Sequence, residues 1–185
     1  MTVTSALSSR TAPGGPTRVT ALVAGLAGLA LALGACSSSA SAEVNEPTVQ
    51  PTYEGAQITF GRPFEYGDGL FLQVKDPVRF TPSDQAEGAE GVEGEAVRIR
   101  FTITNGTRGA YSPHTLSATA VSGGVEATQI IDPAVQIAAT GPSFELNRAG
   151  VVNFDLAFVV ADPRDITLTV VPALGGYEPL VLTLG

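Results

Sequence analysis

The feature that most constrains the fold of this chain is the run AVRIRFTITNGT, which begins at Ala96. Apolar side chains occupy every second position: Val97, Ile99, Phe101 and Ile103. The positions between them are polar: Arg98, Arg100, Thr102 and Thr104. Because successive side chains of a β-strand point to opposite faces, this period of two predicts a half-buried strand. The run stops at Asn105-Gly106, which predicts a turn with a positive φ.

Similar alternation recurs in seven other short segments: QITFG, GLFLQVK, TLSATAVS, VEATQII, VVNFDLAFVV, DITLTVV and PLVLTL. Each segment is bounded by Gly, Pro, Asn or Asp, which favour turns. Seven or eight strands without a convincing amphipathic helix predict an all-β fold, namely a single two-sheet antiparallel β-sandwich of 7–8 strands over residues 55–185. Helical turns are expected only near residues 83–90 or 132–139. The chain has no Trp, so the core must rely on Phe, Leu, Ile and Val.

The N-terminal residues have the pattern of an export signal. Thirteen uncharged residues, ALVAGLAGLALAL, follow a polar segment that carries Arg10 and Arg18. A membrane-spanning helix needs about 20 apolar residues, so this length indicates the apolar region of a signal peptide. We therefore expect residues 1–35 to be a lipoprotein signal peptide that is removed.

The apolar run ends in Leu33-Gly34-Ala35-Cys36, which resembles the bacterial lipobox. Small side chains at Gly34 and Ala35 allow a peptidase to approach the backbone, and the Cys36 thiol is a nucleophile that can take a diacylglycerol group. The pattern predicts lipidation of Cys36 and anchoring to the outer face of the cell membrane. The alternative is that Cys36 is incidental and that cleavage occurs at the ASA of residues 40–42. Cys36 is the only cysteine, so the domain itself has no disulfide.

Residues 36–54 are rich in Ser, Pro and Glu and lack apolar periodicity. This composition predicts that the lipidated Cys36 is followed by a disordered tether. The alternative is that residues 48–53 form a first strand of the domain.

Charge narrows the choice of partners. The chain has a net charge of −8, and all 18 acidic residues follow the apolar run. Such a body is repelled by phosphate backbones, so we expect no binding to nucleic acid. The same repulsion argues against adhesion to anionic lipid through charge alone.

Few residues suggest chemistry. His114 is the only histidine, and no serine lies in a G-x-S-x-G motif, so we expect no catalytic residue and no enzymatic activity. One histidine and one cysteine are too few ligands for a transition-metal site, and no cofactor is expected. The acidic segment SDQAEGAEGVEGE is interpreted as a solvated loop that partly neutralises Arg98 and Arg100, with calcium binding as an alternative: its acids are Asp84, Glu87, Glu90, Glu93 and Glu95.

Two further patterns have two interpretations each. The tyrosines can line a binding rim or be ordinary edge residues: Tyr53, Tyr66, Tyr111 and Tyr177. Asn105-Gly106-Thr107 fits a glycosylation sequon, but a turn explains it better.

Three motifs carry a family resemblance: ITNGT, LNRAGVVNFDLAFVV and ADPRDITLTVVP. With Thr104-Asn105 closing one strand and Ala149-Gly150 introducing another, the chain resembles the immunoglobulin-like domain of Gram-positive and actinobacterial lipoproteins. That domain is similar to the secreted mycobacterial immunoprotective antigens. The family commonly has Pro where this chain has Ala149. The resemblance implies that the single antiparallel β-sandwich is immunoglobulin-like and lies outside the cytoplasm, and it carries over no catalytic residue.

Together these observations predict a cell-envelope lipoprotein whose non-enzymatic β-sandwich binds or scaffolds an extracytoplasmic partner. One alternative is a carrier that holds a small hydrophobic ligand between the sheets, which requires an apolar cavity of several hundred Å³. The other is an envelope enzyme, which requires His114 near a carboxylate and a hydroxyl. An interaction module instead requires an exposed apolar or aromatic patch.

Overall fold

The computed structural model describes residues 52–185, and the predicted signal peptide, lipobox, Cys36 and all but the end of the tether lie outside them. Within the described residues the chain forms eleven strands: β1 (Ala56–Thr59), β2 (Pro63–Glu65), β3 (Leu70–Val74), β4 (Val78–Arg79), β5 (Glu95–Asn105), β6 (Ser117–Ser122), β7 (Val125–Glu126), β8 (Thr128–Ile130), β9 (Val151–Val160), β10 (Ile166–Val171) and β11 (Leu180–Thr183). Two 3₁₀ turns, Pro113–Thr115 and Pro133–Val135, interrupt the loops.

The strands form two sheets that pack as a β-sandwich, as the sequence predicts. One sheet has five strands in the order β1-β11-β10-β6-β7. The other has six, with the order β2-β3-β5-β9-β8 and with β4 beside β5. The strands outnumber the predicted 7–8 because β2, β4, β7 and β8 have only two or three residues each. One pair, β1 with β11, is parallel, and the other neighbours are antiparallel.

The core lies between the sheets and confirms the alternation in β5. Its apolar set, Val97 to Ile103, is at most 1% exposed. The alternating residues Val152 to Phe158 of β9 pair with this set across the two strands. The rings of Phe101 and Phe154 stack there with their centroids 5.3 Å apart. Burying each such side chain contributes about 1.5–3 kcal/mol. This packing places the polar set of β5 on the outer face of the six-stranded sheet.

A second, smaller core covers half of that outer face. Beyond Leu156 both faces of β9 are buried, and Ala157 and Val159 pack against Ile130 and Ile137. The cover is residues 80–94, which we call the strap, because its Phe80, Ala86 and Ala89 pack onto this cluster.

Hydrogen bonds fasten the strap to the chain between β8 and the second 3₁₀ turn. The backbones of Glu87 and Ile131 exchange two hydrogen bonds, of 2.8 and 3.0 Å. The buried carboxylate of Asp132 accepts from the Ser83 backbone N–H at 2.8 Å and from its hydroxyl at 2.6 Å. The acidic segment is a loop between β4 and β5 whose Asp84, Glu87, Glu90 and Glu93 are exposed, as expected for a solvated loop, but it is also fastened to the domain by these hydrogen bonds. Only the 132–139 region contains the helical turn that was expected.

The paired backbone begins upstream of Gly55, the expected start of the domain. Tyr53 donates its N–H to Gly176 O at 2.8 Å, and its own carbonyl accepts from Glu178 N at 2.9 Å. Gly55 then runs so close to β11 that a Cβ there would lie 2.0 Å from Pro179 O. In residues 52–185 there is no helix with the length and apolar character needed to cross a membrane.

Candidate functional site

The structure isolates His114 from catalytic partners. His114 is exposed on the 3₁₀ turn Pro113–Thr115. The nearby hydroxyl of Thr115 donates to backbone carbonyls, those of Ser112 at 2.8 Å and Pro172 at 3.2 Å. No hydrogen bond links the His114 imidazole to a carboxylate or hydroxyl within residues 52–185. The described part of the chain also contains no group of three His, Cys, Asp or Glu side chains that could hold a metal ion.

The ion pairs of β5 differ from the expected ones. Arg100 on β5 forms a bidentate ion pair with Asp155 on β9. Arg100 Nε lies 2.8 Å from Asp155 Oδ1, and Nη2 lies 2.9 Å from Oδ2. The acidic segment does not supply this partner, so the expectation that it neutralises Arg100 is wrong. Its residue Glu95 pairs instead with Arg79, at 2.6 Å. The hydrogen bonds and the charge of Asp155 raise the pKa of Arg100.

Asn105 ends β5 as a buried structural residue. Its Nδ2 donates to Gly109 O at 2.8 Å and to Leu146 O at 2.7 Å, and its Oδ1 accepts from the N–H and hydroxyl of Thr107. Because all these groups are satisfied and Asn105 is 0% exposed, the sequon asparagine is inaccessible.

The turn after Asn105 also differs from the expected one, because neither Asn105 nor Gly106 has a positive φ. Gly106 instead approaches Gly69: its N–H donates to Gly69 O at 3.0 Å, and a Cβ at Gly106 would lie 2.4 Å from that oxygen. Glycine is therefore needed at this position for close packing of two backbones.

The half of the outer face that the strap leaves uncovered forms what we call the outer-face groove. Two adjoining clefts of about 230 and 450 Å³ make up this groove and share Arg98, Arg100 and Asp155. Val78 lines one cleft and Val135 the other, and these side chains are 54% and 47% exposed. The groove thus combines exposed apolar surface with charged side chains.

The charges of the groove are not balanced by ion pairs. Asp155 is held by Arg100, whereas Arg98 and Lys75 form no ion pair within residues 52–185. Arg98 stands between the exposed Val78 and the buried Ala157 in the strand register, so it lies at the border between the open and the covered parts of the outer face. The groove is lined by three basic side chains, Lys75, Arg98 and Arg100, and by two acidic ones, Asp76 and Asp155. Its net charge of +1 is an exception on a domain whose residues 52–185 carry 16 acidic and 8 basic side chains.

The tyrosines gather near one end of the sandwich, but only one of them lines a cleft. Tyr66 and Tyr111 are 1% and 6% exposed, and their hydroxyls donate to Glu178 O at 3.0 Å and Pro172 O at 2.8 Å. The ring of Tyr177 lies between Tyr53 and Tyr66, at centroid distances of 5.4 and 5.0 Å. Two of the predicted rim residues, Tyr66 and Tyr111, are therefore structural.

Tyr53 lines what we call the end cleft, which has a volume of about 490 Å³. Its other lining residues are Gly67, Asp68, Thr107, Arg108 and Gly109. The hydroxyl of Tyr177 donates to Asp68 Oδ2, and burial together with this hydrogen bond raises the pKa of Tyr177. Sequence reasoning missed this cleft because its residues come from three separate segments that meet only in the fold.

Solved structures of three proteins resemble this fold. The yjhA protein of Bacillus subtilis is 14% identical, with 69% of this chain and 99% of that chain covered and a TM-score of 0.54. The secreted protein MPT63 of Mycobacterium tuberculosis is 17% identical, with coverage of 70% and 96% and a TM-score of 0.47. An uncharacterised β-sandwich protein of Clostridium difficile is 8% identical, with coverage of 76% and 100% and a TM-score of 0.43.

No protein-family model matches the chain, and no curated protein matches it significantly in sequence. At 14% identity the likeness to the Bacillus subtilis protein is informative about architecture only. Residues 52–185 form an all-β domain, a two-sheet β-sandwich.

Proposed function

We propose that this protein is an exported, lipid-anchored binding module without enzymatic activity, and that its outer-face groove binds an acidic segment of another envelope protein. The observation that carries the proposal is Arg98, a cation without an ion-pair partner among residues 52–185, placed between exposed valines on an acidic domain. Unpaired cations attract acidic side chains, and exposed valines gain by burial against apolar ones. A protein segment can supply both kinds of side chain at once.

The carrier alternative receives less support from the packing. The space between the sheets is filled by one contiguous cluster of buried side chains that includes Phe101, Phe158 and Leu168. The two clefts of the groove and the end cleft open at the surface. A small hydrophobic ligand between the sheets would have to displace side chains of this cluster.

Export and anchoring rest on the N-terminal sequence. The apolar run of 13 residues followed by Leu33-Gly34-Ala35-Cys36 supports a signal peptide and a diacylglycerol-modified Cys36 at the outer face of the membrane. The absence of any other cysteine agrees with a thiol that serves only as an attachment point.

Photo-crosslinking on intact cells tests the groove. A photoreactive amino acid at position 78 should give a discrete protein adduct that disappears when Arg98→Glu is added. Leu174, which is 91% exposed and does not line the groove, is the matched position for a control crosslinker. Arg148→Glu, which reverses another exposed arginine, should leave the adduct intact. An adduct at position 78 that persists with Arg98→Glu, or no adduct at all, contradicts the proposal.

Membrane fractionation tests the anchor separately. Cys36→Ala should move the protein out of the membrane fraction, whereas Ser37→Ala should not. Retention of the Cys36→Ala protein at the parent level would show that the anchor assignment is wrong.

A further inference from the structure

The end cleft is a formed site that the proposed function does not use. Its walls are the turn at Gly67 and Asp68, the segment from Thr107 to Gly109, and the N-terminal Tyr53. The two loops are joined by the hydrogen bond from Gly106 N to Gly69 O. The volume of about 490 Å³ lies within the range of about 300–1,000 Å³ that is usual for small-molecule sites.

Tyr53 provides an aromatic wall that is fixed in place. Its backbone is paired on both sides, with Gly176 and Glu178, and its ring packs against Tyr177. The ring is half-buried, and Gly67 borders it without a side chain of its own: an added Cβ there would lie 3.6 Å from Tyr53 Cδ1. An aromatic face held in this way can stack on the C–H face of a ring-shaped ligand at little cost in entropy.

Asp68 and Arg108 provide an oriented acceptor and a set of donors. Asp68 Oδ1 accepts from Leu70 N at 3.0 Å and Oδ2 accepts from the Tyr177 hydroxyl, so the carboxylate is held with lone pairs to spare. Arg108 is exposed and forms no ion pair with any residue in 52–185. Ligand hydroxyls can donate to the carboxylate and accept from the guanidinium.

The combination favours a ligand that has an apolar face together with groups that both donate and accept hydrogen bonds. An anionic ligand would meet the charge of Asp68, and a cationic one would meet Arg108. An apolar ligand would remove water from both groups without replacing its hydrogen bonds. A neutral sugar has an apolar C–H face for Tyr53 and hydroxyls that serve both charged groups. We propose that the end cleft binds a neutral pyranose sugar, with Tyr53 stacking on the ring and Asp68 and Arg108 hydrogen-bonded to its hydroxyls.

Titration of the intact ¹⁵N-labelled protein followed by NMR tests this site. The probes are the methyl pyranosides of glucose, mannose and galactose, together with N-acetylglucosamine and the disaccharide maltose. At least one probe should shift the amide signals of Gly67, Asp68 and Gly109 with millimolar affinity. If none of the probes shifts these signals at about 50 mM, where millimolar sites are nearly saturated, the proposal is overturned.

Variants separate binding from folding. Gly109 has no positive φ, and a Cβ added there has no neighbour within 4 Å, so Gly109→Leu should fill the cleft without disturbing the fold. Gly109→Leu and Tyr53→Ala should each weaken sugar binding at least tenfold, and Tyr53→Phe should retain it. Arg108→Gln should also weaken sugar binding, whereas Arg148→Gln, its charge-matched control at another exposed arginine, should not. Unchanged binding in Gly109→Leu would also overturn the proposal.

Arg98→Glu in the outer-face groove should leave sugar binding intact, so the two proposals can fail independently.

Discussion

Ala149 is one of two non-glycine residues in 52–185 with a positive φ, the other being Gln136. The φ of Ala149 is +63°, in the left-handed region that costs a residue with a Cβ roughly 1–2 kcal/mol. The conformation persists because Ala149 N donates to Asn105 O at 2.6 Å and Gly150 O accepts from Asn105 N at 3.0 Å. Proline, common at this position in the family that the sequence resembles, has φ fixed near −65° and no N–H, so it cannot replace Ala149 here.

Two substitutions at Ala149 should therefore have opposite effects. Ala149→Gly should raise the free energy of unfolding by about 0.5 kcal/mol, because relief of strain slightly exceeds the added chain entropy. Ala149→Pro should lower it by about 3 kcal/mol or more. Urea denaturation measures both. Ala138→Gly, at an exposed position without a positive φ, is the control and should lower stability slightly. A loss of stability in Ala149→Gly would contradict the strain argument.

At the scale of elements, the attachment of the strap to the domain depends on the carboxylate of Asp132. Asp132 accepts both hydrogen bonds from Ser83, and these bonds hold the pKa of Asp132 below its ordinary value. A depressed pKa in the folded state means that this contribution is present above the unfolded value, about 3.9, and is lost as the pH falls through the folded value. The strap should therefore stay fastened at neutral pH and loosen only in acid.

Removing that carboxylate should release the strap at neutral pH while the sandwich stays folded. In Asp132→Ala we expect amide hydrogen exchange at Glu87 and Ile131 to accelerate at least tenfold, because their paired N–H groups lose the adjacent fastening. The exchange of core amides in β5 should change much less. Asp84→Ala removes an exposed acid from the same strap and is the matched control. Equal protection in Asp132→Ala and the parent would contradict this role of Asp132.

The elements also show where sequence reasoning works and where it fails. Alternation predicted β3, β5, β9 and β10, because each long strand has one face in the core. It did not predict β4, Val78–Arg79, whose two exposed residues carry no periodic signal. The attachment of the strap to the domain was not predicted, because its few apolar residues are spread among acids and glycines. The Arg100–Asp155 pair was missed because the residues are 55 positions apart and meet only through the pairing of β5 with β9.

The same limit applies to the candidate sites. Arg98 could be placed on an outward face from the sequence, but its lack of an ion-pair partner in the described domain depends on where Asp155 and the strap lie. The end cleft brings together residues from positions 53 to 109, which no local pattern connects. Only the proposed lipobox, Leu33 to Cys36, can be read as a linear motif, since the enzymes that would process it act on the chain itself.

At the scale of the whole molecule, buried tyrosines should limit alkaline stability. Burial is the main cause that raises the pKa of Tyr66, Tyr111 and Tyr177. Between the ordinary value of about 10 and the raised one, the unfolded chain ionises while the folded domain retains its protons. The tyrosines should therefore leave the free energy of unfolding unchanged below about pH 10 and lower it above that pH.

Urea denaturation between pH 8 and 11 measures this fall. Tyr66→Phe removes one of the three groups and should make the decline above about pH 10 shallower. At neutral pH it should lower stability by about 1 kcal/mol, because Glu178 O loses its hydrogen bond. A decline with the same slope in Tyr66→Phe and the parent would show that Tyr66 does not contribute.

The parallel pairing of β1 with β11 has a mechanical consequence. β1 enters the pair beside Leu180 and leaves it beside Thr183, so the two ends of the domain depart in opposite directions along the strands. The Tyr53–Tyr177 bridge and the bond from Phe60 N to Thr183 O lengthen this ladder. A tension that pulls the termini apart therefore loads all these hydrogen bonds together in shear and does not peel them away singly. We therefore expect the domain to resist unfolding when it is held at its N-terminal end and pulled at its C-terminal end, because these hydrogen bonds must break together.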